Sequence, residues 1–280
     1  MQAGIAYIKK ELAGIYPEPE IDALILIILQ YIKSCSRTQI LLARNEVLQD
    51  NERQQISAIT ARLKNHEPIQ YITGETEFYG LKFYCRPGTL IPRPETEELV
   101  DCILKENAGF RGKILDIGTG TGCIPVTLKK RLPEAEISAC DISESCLELA
   151  SRNANLNLLD VSFFRMDILH PGDIVLPEFD ILVSNPPYIP GFEKKLMKKN
   201  VLDYEPGLAL FVPDHDPLLF YKSILKFAGK QLRCSGKIYW EINETFGQEC
   251  VRLLSRAGYL NVRLRKDIQG KDRMISAQKP

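Results

Sequence analysis

The sequence predicts an α/β fold in which helices cover a mostly parallel, seven-stranded sheet, preceded by a small helical domain. From residue 113 onward, short apolar segments alternate with stretches of helical periodicity. The last two segments are separated only by Lys266–Asp272, which is too short for a crossover helix. They should therefore pair as an antiparallel C-terminal hairpin. Before residue 65, apolar side chains repeat only at helical spacing.

The first predicted domain, residues 1–68, is helical. Ile5, Ile8 and Leu12 share one helix face, and residues 21–32 are almost wholly apolar. The most apolar stretch, 24–29, is too short to span a bilayer and is typical of a buried helix. No catalytic constellation is visible, so a packing or docking role is expected.

Residues 69–92 are predicted to form a β-hairpin linker, because they are rich in aromatic and β-branched residues with Gly74 and Gly80 as turn signals. Pro94 suits the first turn of a following helix, and the acidic residues after it favour the positive end of that helix. The catalytic domain is expected to cover residues 93–280.

The strands of that domain are expected where apolar runs lie between helical stretches. They are Lys113–Ile117, Glu136–Cys140, Val161–Phe164, Phe179–Val183, Lys237–Ile242, Tyr259–Leu264 and Arg273–Ala277.

Composition restricts the function classes. The 36 Lys and Arg residues balance the 36 Asp and Glu residues, which argues against broad binding to nucleic-acid phosphates but leaves a local basic patch open. The 8 cysteines form no Cys-x-x-Cys pair and the 3 histidines are far apart, so no metal site is expected. The N-terminus lacks the pattern of a signal peptide, so a cytoplasmic protein with reduced thiols is expected.

A glycine-rich turn follows the first strand. Glycine is needed where the backbone turns tightly or a ligand comes close. The spacing differs from the Gly-x-Gly-x-x-Gly of dinucleotide folds, and the acid Asp116 would repel a pyrophosphate but suit the ammonium of S-adenosylmethionine, directly or through water. A tight turn without a ligand is the alternative. The predicted cofactor-binding residues here are Asp116, Gly118, Thr119, Gly120, Thr121 and Gly122.

Three further residues are candidates for cofactor binding. Asp141 ends the second strand, where a carboxylate can accept both ribose hydroxyls; alternatively it caps the helix Glu144–Asn153. Asp167 could accept from the adenine amino group, although a lone loop aspartate is often merely solvated. Ile168 could pack on the adenine face.

The motif Asn185-Pro186-Pro187-Tyr188 follows the fourth strand and predicts the reaction. The Asn185 side-chain oxygen and the Pro186 carbonyl could each accept a hydrogen from a substrate NH2, and Tyr188 could pack against a flat group. The two prolines stiffen the loop. Two acceptors on a poorly nucleophilic amide raise its electron density and align it for methyl transfer. An ordinary proline-rich turn is the alternative.

These residues resemble the class I S-adenosylmethionine-dependent methyltransferases that carry an Asn-Pro-Pro-Tyr motif. Within them, the chain is identified as a member of the release factor glutamine methyltransferases, the PrmC/HemK family. The motifs behind this resemblance are Pro68–Gly74, Phe78–Leu81, Leu90–Glu97, Asp116–Cys123, Val183–Ile189, Glu205-Pro206, Lys266-Asp267 and Gly270–Arg273.

The resemblance implies a Rossmann-like class I fold, the cofactor S-adenosylmethionine, and N5-methylation of the glutamine in the Gly-Gly-Gln loop of class-1 peptide chain release factors. A monomer is expected. It implies that the glycine turn, Asp141, the position of Ile168 and Asn185 contact the cofactor, and that the motif from Asn185 to Tyr188 holds the glutamine. Many relatives carry a larger residue at Ile168. The segment 211–218 lacks the glycines that are common in the family.

Other function classes are disfavoured. An N6-adenine methyltransferase would use the same motif on an exocyclic amine, but it predicts a basic channel that the neutral chain does not suggest. The glycine spacing disfavours a nicotinamide-dependent dehydrogenase, and two whole motifs disfavour a non-catalytic protein with a relict pocket. One basic cluster, Lys194, Lys195, Lys198 and Lys199, is either a solvated surface or a release factor contact.

Overall fold

The computed structural model describes residues 1–43, 46–172 and 174–280. The helices, in chain order, are α1 (Gln2–Leu12), α2 (Glu18–Lys33), α3 (Arg37–Leu42), α4 (Asp50–Lys64), α5 (Ile69–Thr73), α6 (Pro94–Glu106), α7 (Cys123–Arg131), α8 (Glu144–Leu156), α9 (Lys199–Tyr204), α10 (Gly207–Leu210), α11 (Leu219–Gln231) and α12 (Gly247–Arg256). Short 3-10 helices cover Gly191–Leu196 and Glu244–Phe246.

The strands, in chain order, are β1 (Glu75–Phe78), β2 (Leu81–Tyr84), β3 (Lys113–Ile117), β4 (Glu136–Asp141), β5 (Ser162–Arg165), β6 (Phe179–Ser184), β7 (Ile189–Pro190), β8 (Phe211–Val212), β9 (Leu232–Glu241), β10 (Leu260–Lys266) and β11 (Asp272–Gln278).

The chain forms two compact units. The first consists of Met1–Gly74 with Lys198–Tyr204, and the second consists of Glu75–Met197 with Glu205–Pro280. The functional division into residues 1–68, 69–92 and 93–280 stays a prediction.

In the described residues of the first unit, the secondary structure is helical apart from one isolated bridge between Ala13 and Tyr16, as the periodicity of residues 1–68 predicts, and it comprises α1–α5 and α9. In α9, the Tyr204 phenol donates to the Asn65 carbonyl at 2.9 Å, which ties this later segment to the end of α4. No helix in the described part of the chain has the length and apolarity needed to cross a membrane. The largest fully buried side chains of this unit are Ile8, Leu12, Ile28, Leu29, Ile56 and Leu63.

The predicted hairpin over 69–92 is wrong in its first part, because residues 69–73 form the helix α5. Pro68 precedes that helix, and its carbonyl accepts from the backbone of Tyr71 and Ile72 at 3.0 and 3.1 Å. Gly74 ends it in the left-handed region at φ 75°. The strands β1 and β2 then pair antiparallel around Tyr79-Gly80, both at positive φ.

The second unit contains the seven-stranded sheet in the order β10-β11-β9-β6-β3-β4-β5. Neighbours from β9 to β5 run parallel, whereas β11 runs antiparallel to both β9 and β10. The mostly parallel sheet and its antiparallel C-terminal hairpin are therefore confirmed. Strand β9 begins at Leu232 and not at Lys237, because Leu232 pairs with Phe179 despite the exposed residues that follow it.

Alternate residues of the strands face two apolar cores. Leu182 and Trp240 face one core, and Val183 and Tyr239 face the other, as the two-residue period of a strand requires. Helices α11 and α12 contribute to the first core, while α6 and α7 contribute to the second. Because helices cover both faces of the sheet, most residues of the central strands β3 and β6 are apolar and buried.

A topological switch point defines where a ligand is expected. From β3 the chain passes to β4 and β5 on one side, and then returns to place β6 on the other side of β3. In open α/β sheets, ligands bind outside the carboxyl ends of the strands at such a point. The carboxyl ends of β3 and β6 therefore flank the expected site.

Candidate active site

Four parallel strands end in one row at the switch point. In the sheet register, Ile117 pairs with Cys140 on one side and with Ser184 on the other, and Ser184 pairs with Trp240. The Ser184 hydroxyl donates to the Ile117 carbonyl at 2.6 Å, which ties two of these ends together. The next residues along the four strands are Asp141, Gly118, Asn185 and Glu241.

The three glycines of the turn all adopt positive φ, at 78°, 55° and 79° for Gly118, Gly120 and Gly122. A Cβ on Gly118 or Gly120 would meet nothing within 4 Å, so the backbone is open to a ligand there. A Cβ on Gly122 would come within 2.9 Å of the Ala150 Cβ. Gly122 is therefore required for the close packing of α7 on α8, whereas the other two glycines leave the crevice open.

Asp116 and Thr119 provide buried polar atoms that the described residues leave without partners. Asp116 is fully buried, and neither carboxylate oxygen has a hydrogen-bond partner there. The Thr119 hydroxyl is likewise buried without a partner. Burial raises the pKa of Asp116 to about 7, and the nearby Thr119 hydroxyl acts in the opposite direction although it is outside hydrogen-bond geometry. Such orphaned groups are costly unless a ligand satisfies them, so they fit a bound cationic group.

Asp141 links the glycine turn to the start of α8. One carboxylate oxygen accepts from the Gly120 backbone N–H at 2.9 Å, and the other accepts from the Ser143 N–H at 2.9 Å. Burial raises its pKa. The cap of α8 is Ser143, whose hydroxyl accepts from the Cys146 N–H at 3.3 Å, so the capping alternative for Asp141 is wrong. Each carboxylate oxygen keeps a second lone pair with which it can accept a ribose hydroxyl.

Asp167 and Ile168 follow β5, at the outer side of the row. Both Asp167 oxygens are engaged within the loop, by the Leu169 N–H at 2.9 Å and by His170 Nδ1 at 3.1 Å. Asp167 is therefore used within its own loop and is not merely solvated, as the alternative had it. Ile168 is partly buried against the core that contains Trp240. Adenine contacts from these two residues stay a prediction.

Asn185 is held by a residue from a distant part of the chain. Its side-chain Nδ2 donates to the Thr96 hydroxyl oxygen at 3.1 Å. Thr96 is buried in the first turn of α6. The Asn185 Oδ1 accepts no hydrogen bond from the described residues. The amide nitrogen of Asn185 is therefore used by Thr96, and the amide oxygen is left available to accept a hydrogen bond from a ligand.

The rest of the motif forms a stiff loop between β6 and β7. Pro186 and Pro187 lack a backbone donor, and no backbone N–H of the described residues donates to the Pro186 carbonyl. Strand β7 pairs parallel with β8 of the altered segment 211–218, so that segment runs beside the motif despite its missing glycines.

Glu241 is the residue of this site that the sequence analysis missed. Its side chain is almost fully buried; it accepts from the Thr96 hydroxyl at 2.6 Å and from the Tyr188 phenol at 2.9 Å. Burial raises the pKa of Glu241, whereas the two hydroxyl donors and the charge of Arg273 act in the opposite direction. Burial also raises the pKa of Tyr188 well above its ordinary value, which keeps the phenol a donor. A charged residue inside the apolar run Lys237–Ile242 was the available signal.

Two other motifs meet beside this network. Glu205 is buried and accepts from the Ile91 backbone N–H at 3.2 Å and from the Arg93 guanidinium at 2.5 Å. This ion pair joins the segment before α6 to the Glu205-Pro206 step. It fixes the entry to the helix that carries Thr96.

Among the described residues, no group of three or more His, Cys, Asp or Glu side chains is arranged to hold a metal ion. The polar groups of the crevice are instead single carboxylates, hydroxyls and backbone N–H groups. This donor set suits an organic cofactor with amino and hydroxyl groups.

Comparisons with known proteins agree with this geometry. Two family models match the chain: the PrmC N-terminal domain over residues 5–74 and the Methyltransferase small domain over residues 94–203. The second match covers the glycine turn and the proline motif.

Two solved structures share the fold. A methyltransferase from Pyrococcus furiosus is 19% identical with a TM-score of 0.52, covering 80% of this chain and 98% of that one. A 16S rRNA N2 G1207 methyltransferase from T. thermophilus, in complex with AdoMet and guanosine, is 15% identical with a TM-score of 0.53, covering 74% of this chain and 50% of that one. These likenesses confirm the predicted class I methyltransferase fold.

Sequence relatives are much closer. A release factor glutamine methyltransferase from Flavobacterium psychrophilum is 48% identical over 94% of both chains. Another from Bacteroides thetaiotaomicron is 45% identical over 98% of both chains. A third, from Lactococcus lactis, is 42% identical over 83% of this chain and 85% of its own. With this identity over nearly its whole length, and with the fold and motifs described above, the chain belongs to the release factor glutamine methyltransferase family.

Proposed function

We propose that this protein methylates the side-chain amide N5 of the glutamine in the Gly-Gly-Gln motif of class-1 peptide chain release factors, and so acts in translation termination. Membership of the release factor glutamine methyltransferase family supports the reaction and the substrate class. One observation carries the assignment to this site. Asn185 keeps its amide nitrogen on Thr96 and its amide oxygen available, one residue after Ser184, whose hydroxyl bonds to the end of β3 just before the glycine turn.

The crevice suits S-adenosylmethionine, which supplies an activated methyl group on a sulfonium when it is bound. Asp116 and Thr119 offer an anionic carboxylate and a hydroxyl to an ammonium, directly or through water. Gly118 and Gly120 leave room for the backbone to approach the cofactor. Asp141 offers lone pairs to the ribose, and Asp167 and Ile168 are assigned to the adenine.

The proline motif acts on the substrate amide. Asn185 Oδ1 and the Pro186 carbonyl each accept one of the two amide hydrogens, which orients the nitrogen lone pair. Two acceptors also shift electron density onto a nitrogen that resonance otherwise makes a poor nucleophile. Because the loop is stiff and its asparagine is already oriented, little reorganisation is needed on binding. Pro187 keeps the turn rigid, and Tyr188 packs beside the side chain of the glutamine.

No general base is required before the transfer. The amide nitrogen gains its methyl group while it still carries two hydrogens, and the resulting N-methyl amide cation is acidic enough to lose a proton to water. Burial keeps the Tyr188 phenol protonated, so it acts as a donor to Glu241 and not as a base.

The surface beside the motif supports a protein substrate. Phe192 and Leu196 lie on the 3-10 helix directly after it and are 58% and 86% exposed. Leu208 on α10 is also exposed. Exposed apolar side chains grouped around a site are one mark of a protein-contact surface. We assign this surface, together with the helical first domain and the 69–92 linker, to release factor docking.

The basic cluster contributes less to this surface than its sequence suggests. Lys194 lies over the Phe211 ring at 4.2 Å, and Lys198 lies 3.9 Å from Glu20. These local partners support the interpretation that two of the four lysines belong to a solvated surface and do not contact the release factor. The proposal includes neither a nucleic-acid substrate nor a membrane partner, and it takes the enzyme to act as a monomer in the cytoplasm, where release factors work.

The test is mass spectrometry of an unmethylated class-1 release factor after incubation with this protein and S-adenosylmethionine. We expect a gain of one methyl group on the Gly-Gly-Gln glutamine. A release factor in which that glutamine is replaced by alanine is the matched control and should gain none.

Two results would contradict the proposal. Methylation at another residue would refute the glutamine assignment. No methylation, with cofactor binding demonstrated by calorimetry, would refute the release factor substrate and direct the same assay to adenine in RNA and DNA.

A further inference from the structure

The buried carboxylate of Glu241 lies behind the proline motif and touches neither the substrate nor the cofactor in the proposed function. It is 1% exposed and directly follows Trp240, the β9 residue that pairs with Ser184 at the switch point. A buried carboxylate is expensive to retain unless its hydrogen bonds serve a purpose. Its two oxygens are each used by one hydroxyl, from Thr96 and from Tyr188.

The direction of these hydrogen bonds follows from counting protons. Both hydroxyls donate to Glu241, which accepts one hydrogen bond on each carboxylate oxygen. A threonine hydroxyl has one proton, and that of Thr96 is then committed. Toward Asn185, the Thr96 oxygen can therefore act only as an acceptor.

The side-chain amide of Asn185 must therefore present its NH2 group, the donor, to the Thr96 oxygen. Its Nδ2 donates to Thr96 at 3.1 Å, which leaves Oδ1 as the atom that can accept from a substrate. The two ends of an asparagine amide differ little in shape, so the network and not the packing decides which end faces which neighbour. We propose that Glu241 is a positioning residue that sets the amide orientation of Asn185 through the Thr96 hydroxyl. This inference rests on the proposed function, because it assigns the Asn185 oxygen to the substrate amide.

A substitution of Glu241 by glutamine reverses this polarity with little change in shape. The new amide would satisfy every donor if its NH2 faced Thr96 and its oxygen accepted from Tyr188. The Thr96 proton would then donate to Asn185 Oδ1, which would turn the asparagine amide over. The Asn185 NH2 would meet the substrate NH2, donor against donor. In the opposite orientation of the new amide, the Tyr188 proton would lose its acceptor.

The experiment compares Glu241→Gln, Thr96→Val and Thr96→Ser in steady-state methylation of a release factor, together with the Kd for S-adenosylmethionine by calorimetry. We expect Glu241→Gln and Thr96→Val to lower kcat by about 100-fold while the cofactor Kd stays within about threefold. Thr96→Ser keeps the hydroxyl and should retain most of the activity. Tyr221→Phe is the matched control, since the Tyr221 phenol donates to the Glu241 backbone carbonyl at 3.0 Å and not to its carboxylate.

A double-mutant cycle separates positioning from a general structural effect. If Glu241 acts through Asn185, Glu241→Gln should lower kcat no further in an Asn185→Ala background. An equal loss in both backgrounds would overturn the inference, and so would normal turnover of folded Glu241→Gln. The Thr96 pair tests the same relay if Glu241→Gln does not fold. Failure of the wild-type protein to methylate release factor would refute the proposed function instead.

Discussion

The glycine turn and the proline motif lie at neighbouring strand ends, but they differ in whether their buried polar groups have hydrogen-bond partners within the protein. In the turn, the carboxylate of Asp116 and the hydroxyl of Thr119 are buried without partners among the described residues. In the motif, Asn185 Nδ2 and the Tyr188 hydroxyl both bond to a network from two other parts of the chain.

This difference separates binding from orientation. Orphaned groups destabilise the free protein and gain their partners only from a ligand, so the turn is expected to couple ligand binding to stability. A satisfied network gains little when a ligand arrives, but it holds one side chain in the geometry that a reaction needs. Substitutions in the two regions should therefore change different measured quantities.

The largest effect is expected for Asn185→Ala. Removing an acceptor of the reacting amide should lower kcat by about 10²–10³-fold, because the contact strengthens as charge develops on the nitrogen. The cofactor Kd, measured by calorimetry, should change by no more than about threefold. Equal losses in both quantities would indicate a collapsed site and would erase the contrast between the two regions.

Asp116→Asn should produce the opposite pattern. Loss of the carboxylate charge should weaken S-adenosylmethionine binding by about 10–100-fold, whereas kcat at saturating cofactor should change much less. The control is Asp180→Asn. Asp180 is a partly exposed residue near the start of β6, at the opposite strand end from the candidate site, so this variant removes the same charge away from the site. If both variants bind the cofactor as the wild type does, Asp116 has no role in binding.

The same residue predicts a pH effect. The pKa of Asp116 is about 7 in the folded protein, above the ordinary value of 3.8, because the side chain is buried. Between about pH 4 and 7 the folded state holds a proton on Asp116 that the unfolded state has released. The unfolding free energy should therefore fall as pH rises through this range. Over the upper part of that range the cofactor Kd should fall by up to about tenfold per pH unit, and then level off.

Asp116→Asn is the reference for both pH measurements. The variant should show a smaller fall in unfolding free energy, measured by urea titration, because Asp141 and Glu241 still contribute to that fall, and it should lose the rise in affinity. A wild-type profile that parallels the variant would show that Asp116 does not titrate in this range.

The glycines of the turn are compared by their effect on folding stability. Gly122→Ala places a Cβ within 2.9 Å of the Ala150 Cβ at a φ of 79°, so it should lower the unfolding free energy by about 2–4 kcal/mol. Gly118→Ala has free space around it but a φ of 78°, and should cost about 1 kcal/mol. Urea midpoints compare the two directly. A reversed order would contradict the distinction between a packing glycine and an open one.

Local patterns were sufficient to predict much of this molecule from sequence. The strands and their turns follow from apolar runs ended by glycine or proline, and those ends bring Asp141, Gly118 and Asn185 into one row. The helix α5 was missed because its aromatic and β-branched residues favour strands, while Pro68 and Gly74 provide the helix ends.

The missing part of the site consists of contacts that sequence spacing does not encode. Glu241 meets Thr96 across 145 positions, and Asn185 meets Thr96 across 89. The Thr96 hydroxyl meets the Glu241 carboxylate because α6 packs against β9, and it meets Asn185 because β6 lies beside β9 in the sheet. Likewise, the cap of α8 was decided by backbone geometry, which favoured Ser143 over Asp141.

The helix α9 has a consequence for how the chain acquires its structure during synthesis. It belongs to the same compact unit as Met1–Gly74, although 123 residues of the other unit, Glu75–Met197, lie between them. A ribosome makes the chain from its N-terminus, and domains that are contiguous in sequence can fold as they emerge. Here the first unit lacks one of its helices until residue 204 has been made. The unit that begins to emerge first is therefore completed only after four of the seven strands of the large sheet have been made.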